Sequence, residues 1–286
     1  MGSAELVSGS LRPLLDGGRY FEAPRWHDGR LWLVDALART LIAVTPQGTP
    51  EIACAFKGVP AGLGFLPSGD AVVTDMHGRS LVRCAAGRPM DHADLSPISG
   101  TIDDMITDKA GRAYVGDLGF DLKSGIKSGP YGRIILVEAG REPRVVADGL
   151  NFPNGIALSA DGRQLVVAET NGDCLARFHI RADGSLEFDR RFGHFRTPDG
   201  ICMDRDEATW VSLLDEHSFV RVAPDGRILD RIEVPDRRAI ACVLGGEDRR
   251  TLFCVSIELD RSAQTGTKPR SFVDTLVVEV PGAGYP

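Results

Sequence analysis

The chain lacks the features that mark several classes of protein. No apolar run approaches the roughly 18 residues of a membrane span, and the N-terminus has no basic stretch followed by an apolar one, as a signal peptide would. Its six cysteines form no CxxC pair, which argues against a zinc cluster or a disulfide framework. These absences favour a protein of the reducing cytoplasm that has no contact with membranes.

Basic clusters are also missing. The formal net charge is −7 and the isoelectric point is near 5.4. Binding to nucleic acid needs a basic face, so a nucleic-acid partner is not expected. The expected partner is a small-molecule substrate, and the chain is expected to act as a monomer or a small homo-oligomer.

Glycine and proline are plentiful, at 33 and 17 residues, which is typical of a fold with many short strands and turns. Six segments share the pattern of an apolar strand, a turn with Gly or Asp, and a second apolar strand, and each predicts a β-hairpin. The six segments are Trp26–Asp35, Leu63–Asp75, Met105–Asp117, Ile156–Glu169, Ile201–Leu213 and Val243–Ser256.

Further strands follow each hairpin. A third strand is predicted at Thr40–Val44, Ser80–Cys84, Arg133–Val137, Cys174–Phe178, Ser218–Val222 and Thr275–Val280. A fourth is predicted at Glu51–Phe56, Pro89–Ala93, Arg144–Ala147, Leu186–Phe192 and Ile228–Val234. The last unit has no fourth strand of its own, and the N-terminal segment Ala4–Ser8 is predicted to supply it and so close a ring.

This repeat predicts an all-β protein, a six-bladed β-propeller of four-stranded blades that occupies residues 1–286 as a single domain. A β-sandwich would not repeat a four-strand unit six times, and a β-helix would have shorter coils. The ring is predicted to close through an N-terminal strand that joins the last blade.

Oxygen-bearing side chains recur where the first strand of a blade enters the central channel. Asn154 and Asp199 each lie seven residues before the turn Asp of their hairpin, and Asp103 takes the same slot in the third blade. Glu22 lies next to this slot in the first blade. The second and sixth blades are predicted to carry Ala61 and Ala241 there.

Carboxylates gathered in a dehydrated mouth would repel one another and raise each other's pKa, and a bound cation would remove that cost. Oxygen donors without His or Cys favour a hard cation, with Ca²⁺ first and Mg²⁺ or Mn²⁺ next, and Zn²⁺ as a weaker candidate. The alternative is that the Asn-Gly and Asp-Gly dipeptides are only turns. Their shared register across blades favours the metal site.

The segments EAPRW, NFPNGIALSADG and TPDGI resemble three signature segments of the SMP-30/gluconolactonase/LRE-like family. Members are six-bladed propellers that mostly hydrolyse sugar lactones or related cyclic esters with a divalent metal. The resemblance implies that Glu22, Asn154 and Asp199 bind the metal and that Asp199 is also a candidate general base. Asp103 and Asp104 are secondary candidates for the base, and Asp103 is predicted as a further ligand.

The family usually carries an R-x-N-D segment with substrate-binding Arg and Asn ahead of the third blade. Here Thr101 replaces the Arg and Asp103 replaces the Asn, so the sugar-lactone specificity does not carry over directly. Thr101, Asp103, Phe120 and His77 are the candidate substrate contacts. The long insertion from Phe120 to Tyr131 is a candidate lid, with a plain surface loop as the alternative.

Three hypotheses about function follow. The first is metal-dependent hydrolysis of a lactone or a related small ester. The second is a non-catalytic binding module with a structural cation, although only 7% of the residues are aromatic, which gives little material for an interaction face. The third keeps the metal enzyme but changes the reaction, to hydrolysis of phosphotriesters or to isomerisation.

Overall fold

The computed structural model describes residues 5–6, 10–127, 129–258 and 269–285. These residues form 25 strands and two short 3₁₀ turns, at Leu122–Ser124 and Thr170–Gly172. None of them belongs to a helix of the length and hydrophobicity that crossing a membrane requires.

The strands are arranged in six antiparallel blades, and each blade is built around four strands that run from the channel outward. Blade one contains β3 (Phe21–His27), β4 (Arg30–Asp35), β5 (Thr40–Val44) and β6 (Pro50–Ala55). Blade two contains β7 (Pro60–Phe65), β8 (Ala71–Asp75), β9 (Ser80–Ala85) and β10 (Arg88–Asp94). Blade three contains β11 (Ile102–Thr107), β12 (Ala113–Asp117), β13 (Gly132–Val137) and β14 (Arg144–Leu150).

The second half of the ring repeats this order. Blade four contains β15 (Pro153–Leu158), β16 (Gln164–Glu169), β17 (Cys174–Ile180) and β18 (Leu186–Phe192). Blade five contains β19 (Pro198–Met203), β20 (Thr209–Leu213), β21 (Ser218–Val222) and β22 (Ile228–Glu233), with β1 (Glu5–Leu6) added at its outer edge. Blade six contains β23 (Arg237–Gly245), β24 (Thr251–Glu258), β25 (Ser271–Val277) and, outermost, β2 (Arg12–Gly18).

The ring is closed by packing between neighbouring blades. Each innermost strand packs against the innermost strand of the next blade, and β23 of blade six packs against β3 of blade one. A cluster of buried apolar side chains fills each of the six junctions between blades. The predicted six-bladed propeller of four-stranded blades is therefore confirmed.

An N-terminal strand completes blade six, as predicted, but it is β2 and not the predicted segment Ala4–Ser8. β2 pairs with β25 and completes blade six, whereas Glu5 and Leu6 pair in parallel with β22 of blade five. The rest of the predicted segment Ala4–Ser8 lies outside the described residues. The sequence of β2 was not recognised as a strand because it contains Pro13 and two glycines, which an outermost strand tolerates.

The residues after β25 fill one end of the channel, opposite to the end at which the innermost strands begin. At the filled end, Gly282 forms an isolated bridge with Asp204 and the Ala283 N–H donates to the Met203 carbonyl oxygen. The inner strands and this tail leave a cavity of about 20 Å³, which is room for one water molecule. Access to the channel is therefore expected from the other end, which we call the mouth.

Acids at the ends of second strands anchor the mouth in blades one to four. Each of these carboxylates accepts a backbone N–H that lies two or three residues before the slot residue of the same blade. The pairs are Asp35 with Tyr20 at 3.2 Å, Asp75 with Val59 at 3.3 Å, Asp117 with Gly100 at 2.8 Å and Glu169 with Asn151 at 2.7 Å. These four acids therefore hold the backbone from which the mouth residues project.

We expect Asp117→Ala to lower the free energy of unfolding by about 2 kcal/mol, because it leaves the half-buried Arg133 and two part-buried N–H groups without their acceptor. Asp117 is fully buried, accepts from the N–H groups of Gly100 and Gly119, and binds Arg133 Nε at 2.8 Å. Denaturant unfolding measures the loss. The exposed Asp91→Ala is the control and should change stability by less than about 0.5 kcal/mol. A loss below about 1 kcal/mol in Asp117→Ala would contradict the anchoring role.

Candidate active site at the channel mouth

The predicted slot is a defined position in the structure. Glu22, Ala61, Asp103, Asn154 and Asp199 are each the second residue of the innermost strand of blades one to five. In each of these blades the pairing between the first and second strands shifts register at or just after this position, as at a β-bulge. A bulge interrupts the regular alternation of side chains between the two faces of a sheet. The five side chains therefore share one level at the mouth.

Blade six departs from the predicted alignment. Its pairing slips between Ala239 and Ala241, so that Ile240 is the extra residue. Ala241 is thus the first paired residue after the slip, one step beyond the slot in which the sequence alignment placed it. The alignment missed this because β23 begins earlier and is longer than the other innermost strands.

Glycines that follow the slot bring neighbouring blades into close contact. A Cβ on Gly155 would lie 2.5 Å from the carbonyl oxygen of Asp199, and one on Gly200 would lie 2.4 Å from the Cβ of Ala241. Real Cβ atoms do not approach this closely, so the backbones of blades four, five and six meet only because these residues are glycine. The Asn-Gly and Asp-Gly dipeptides are therefore parts of strands and not turns, and their glycines let neighbouring blades pack closely.

The carboxyl groups at the mouth disfavour one another's charge. Burial raises the pKa of Glu22 well above its usual range, and the nearby carboxylates of Asp199 and Asp103 raise it further. Burial and then Asp103 likewise raise the pKa of Asp199, while a hydrogen bond from the Asn154 side chain opposes that rise. Burial and then Asp104 raise the pKa of Asp103 to about 7. The side chains of blades one, three, four and five therefore interact across the mouth.

Asp104 has a different environment from its neighbour Asp103. Its Oδ1 accepts a hydrogen bond from Nη2 of Arg25 at 2.8 Å, and both side chains are almost fully buried. The same Arg25 nitrogen also donates to the carbonyl oxygen of Met105 at 2.6 Å. Burial raises the pKa of Asp104 and the Arg25 charge lowers it. This ion pair joins blade one to blade three and makes Asp104 the weaker candidate for a base.

The arrangement of donors limits how a cation could be held. Within the described ranges, no three side chains of His, Cys, Asp or Glu converge as a ready metal site. A set made of Glu22, Asn154 and Asp199 contains only two such residues, since its third donor is an amide. The oxygen chemistry of this set fits a hard cation. The arrangement gives no support to Asp103 as a fourth ligand.

The predicted substrate contacts surround the start of the 120–131 insertion. Thr101 is buried, and its hydroxyl accepts the N–H of Leu122 at 3.0 Å. Phe120 is 6% exposed and packs against Phe152 with ring centroids 6.3 Å apart. Both residues therefore tether the insertion. His77 is half-buried and lines a cavity together with Thr101. The lid remains a prediction, and Ser128 within it lies outside the described residues.

Two residues near the acids were missed by the sequence reasoning. Burial raises the pKa of Tyr20 well above its usual range, and the charges of Glu22, Asp199 and Asp103 add to the rise, whereas Arg238 opposes it. Tyr20 lies two residues before Glu22, which is a spacing that puts side chains on one face of an extended chain. This spacing was the sequence signal that could have identified Tyr20. No comparable signal existed for Arg238, because the innermost strand of blade six does not follow the register of the other blades.

Comparison with known proteins assigns the family. The model of the SMP-30/gluconolactonase/LRE-like region matches residues 21–258. The chain belongs to this family. The family membership predicted from three short segments is thus confirmed across most of the chain, including the innermost strands that carry the mouth residues.

The chain is similar to a 6-deoxy-6-sulfogluconolactonase from Pseudomonas putida, with 32% identity over 164 residues. That match covers 54% of this chain and only 56% of the Pseudomonas protein. A pentonolactonase from Haloferax volcanii is 24% identical over 263 residues, which are 90% of this chain and 88% of that protein. The solved calcium-binding protein regucalcin from Agrobacterium tumefaciens has a TM-score of 0.78 and 22% identity, over 100% of this chain and 99% of its own. The likeness to regucalcin shows the shared fold.

In the protein freed of divalent cations, the raised pKa of Asp103 predicts that the free energy of unfolding falls as the pH rises. Below about pH 4 the carboxyl is protonated in both the folded and the unfolded chain, so it costs nothing. As the pH rises from about 4 to about 7, the unfolded chain ionises first, and the folded state loses relative stability by on the order of 4 kcal/mol.

The measurement is the difference in unfolding free energy between Asp103→Asn and the wild type, in EDTA, at pH 4 and pH 8. We expect the variant to gain on the wild type as the pH rises, because it cannot ionise. Asp91→Asn is the matched control at an exposed site and should show no such trend. A pH-independent difference for Asp103→Asn would mean that this carboxyl ionises as freely in the folded protein as in the unfolded chain.

Proposed function

We propose that this chain is a divalent-cation-dependent hydrolase that opens a sugar lactone or a related small cyclic ester at the channel mouth. The observation that carries the proposal is the set of carboxylates at one level of the mouth, from the second residue of the innermost strands of blades one, three and five, each with a raised pKa. A fold gains nothing in stability from such a set. Its cost is explained if the acids serve to bind a cation and to accept a proton.

We assign the cation to Glu22, Asn154 and Asp199. Two carboxylates and one amide oxygen suit Ca²⁺, Mg²⁺ or Mn²⁺ better than Zn²⁺. The name of the Agrobacterium neighbour, a calcium-binding protein, supports Ca²⁺ as the first ion to test. When bound, such a cation would polarise the lactone carbonyl and stabilise the negative charge that develops on its oxygen.

The chain's own acids would handle the proton. Asp199 is the proposed general base that takes a proton from the attacking water, and the Asn154 side chain beside it lowers the pKa that burial raises. Asp103 is the second candidate, because it is a buried carboxyl at the same level of the mouth whose charge raises the pKa of Asp199. Asp104 is held by Arg25 and is assigned a structural role. Attack on the carbonyl carbon and cleavage of the ring C–O bond would release a hydroxy acid.

The substrate class rests on the relatives. The Pseudomonas and Haloferax proteins are named as lactonases of sugar derivatives, which supports a sugar-derived lactone here. Thr101 stands where the family usually carries an Arg, and its hydroxyl is occupied by the backbone of Leu122. We therefore infer that this chain recognises its lactone through residues other than the family's usual pair.

The test is lactone hydrolysis by the wild type, Asp199→Ala and Asp103→Asn, each with Ca²⁺, with other divalent cations and with EDTA. We expect EDTA to abolish activity and added cation to restore it. Asp199→Ala should lower kcat/KM by about 10³-fold or more, because it removes both a ligand and the proposed base. Asp103→Asn should lose about tenfold, since it removes only a neighbouring charge.

Cation binding by isothermal titration calorimetry separates the two roles of Asp199, and Asp91→Ala is the control for an unrelated carboxylate. Wild-type rates that survive both EDTA and Asp199→Ala would refute the proposal. A protein that binds the cation but turns over no lactone would instead support a non-catalytic propeller.

A further inference from the structure

A polar cavity is lined by loop residues that lead into the innermost strand of blade three, which carries Asp103. Its lining residues come from two connections between second and third strands and from the entry to β11, and we call it the cationic pocket. The lining residues are His77, Arg79, Gly100, Thr101, Asp121 and Lys123. Its volume is about 230 Å³, which accommodates a charged group of a few heavy atoms. Thr101 lies two residues before Asp103, so the pocket adjoins the proposed active site.

The two cations of this pocket form no close ion pair, although the charge of Arg79 lowers the pKa of Asp94. Among the described residues, neither Arg79 nor Lys123 has a carboxylate within 4.0 Å of its charged nitrogen atoms, although most arginines in blades three to five do. Arg79 donates one hydrogen bond from Nη1, to the carbonyl oxygen of Ser99 at 3.1 Å. Unpaired cations that share a cavity favour an anion between them.

The other polar groups of the cationic pocket leave room for such an anion. Asp121 is the one acid in its lining, and its Oδ1 accepts the backbone N–H of Lys123 at 3.0 Å, which caps a short 3₁₀ turn. His77 contributes an Nδ1 atom that is buried and has no hydrogen-bond partner among the described residues. A buried nitrogen without a partner costs free energy, and a ligand oxygen would relieve that cost if Nδ1 carries the proton.

We propose that the cationic pocket binds an anionic substituent of the lactone, such as a carboxylate, sulfonate or phosphate carried away from the ring carbonyl. Lys123 and Arg79 supply charge-assisted hydrogen bonds, and His77 supplies a further polar contact. This assignment rests on the proposed function and narrows its substrate class to acidic lactones. It also gives a reason why the chain dispenses with an Arg at position 101, because the positive charge comes from two neighbouring loops.

The test compares kcat/KM for a neutral lactone, glucono-1,5-lactone, with that for two acidic ones, a glucarolactone and 6-phosphogluconolactone, in the cation-loaded enzyme. We expect the wild type to prefer an acidic lactone. In Lys123→Met and in Arg79→Met the ratio of acidic to neutral kcat/KM should fall about tenfold, since each removes one charged donor. Comparing the two acidic lactones distinguishes a site for carboxylate from one for phosphate.

Lys127→Met is the matched control, because it removes the same charge from the same insertion but does not line the cationic pocket. It should leave the ratio unchanged. An unchanged ratio in both Lys123→Met and Arg79→Met would overturn the assignment, as would a wild type that prefers the neutral lactone.

A second readout does not depend on turnover. Inorganic sulfate should raise the melting temperature of the wild type and of Lys127→Met more than that of Lys123→Met. If this difference is seen but no lactone is hydrolysed, the proposed function fails while the anion site stands. If lactones are hydrolysed but the sulfate effect is equal in all variants, the anion site is wrong and the proposed function stands.

Discussion

The structure depends on one unfavourable interaction, the mutual repulsion of buried carboxylates at the channel mouth. Burial and neighbouring charges raise the pKa values of Glu22, Asp103 and Asp199 together. The closed ring of six blades holds these groups in place, because each innermost strand packs against its neighbours on both sides. In the proposed function, a cation bound among the carboxylates would offset their repulsion.

Residues of the same type take different roles according to their partners. Asp117 is saturated by N–H groups and Arg133 and holds the backbone, while Asp104 is paired with Arg25 and joins two blades. Among the described residues, Asp103 and Asp199 form no ion pair with Lys or Arg, and burial raises the pKa of both. The acids with backbone N–H or Arg partners therefore hold the fold, whereas the mouth acids lack such partners.

The regular part of the molecule was predictable from sequence, because each blade repeats the same alternation of apolar strand and turn. The slot residues of blades three to five followed from that register alone. The closing strand at Arg12–Gly18 was missed because its Pro and Gly residues obscure a strand pattern that only an outer edge permits. Arg238 and the cationic pocket were also missed, since loops and the irregular sixth blade do not repeat, and only the fold brings them to the mouth.

The most direct test is to locate the cation by anomalous diffraction from crystals grown with Mn²⁺. The account predicts one strong peak at the mouth, within about 2.6 Å of carboxylate oxygens of Glu22 and Asp199 and of the amide oxygen of Asn154. A mouth without a peak, in crystals of protein that is active under the same conditions, would contradict the central claim. A peak held by other residues would contradict it equally.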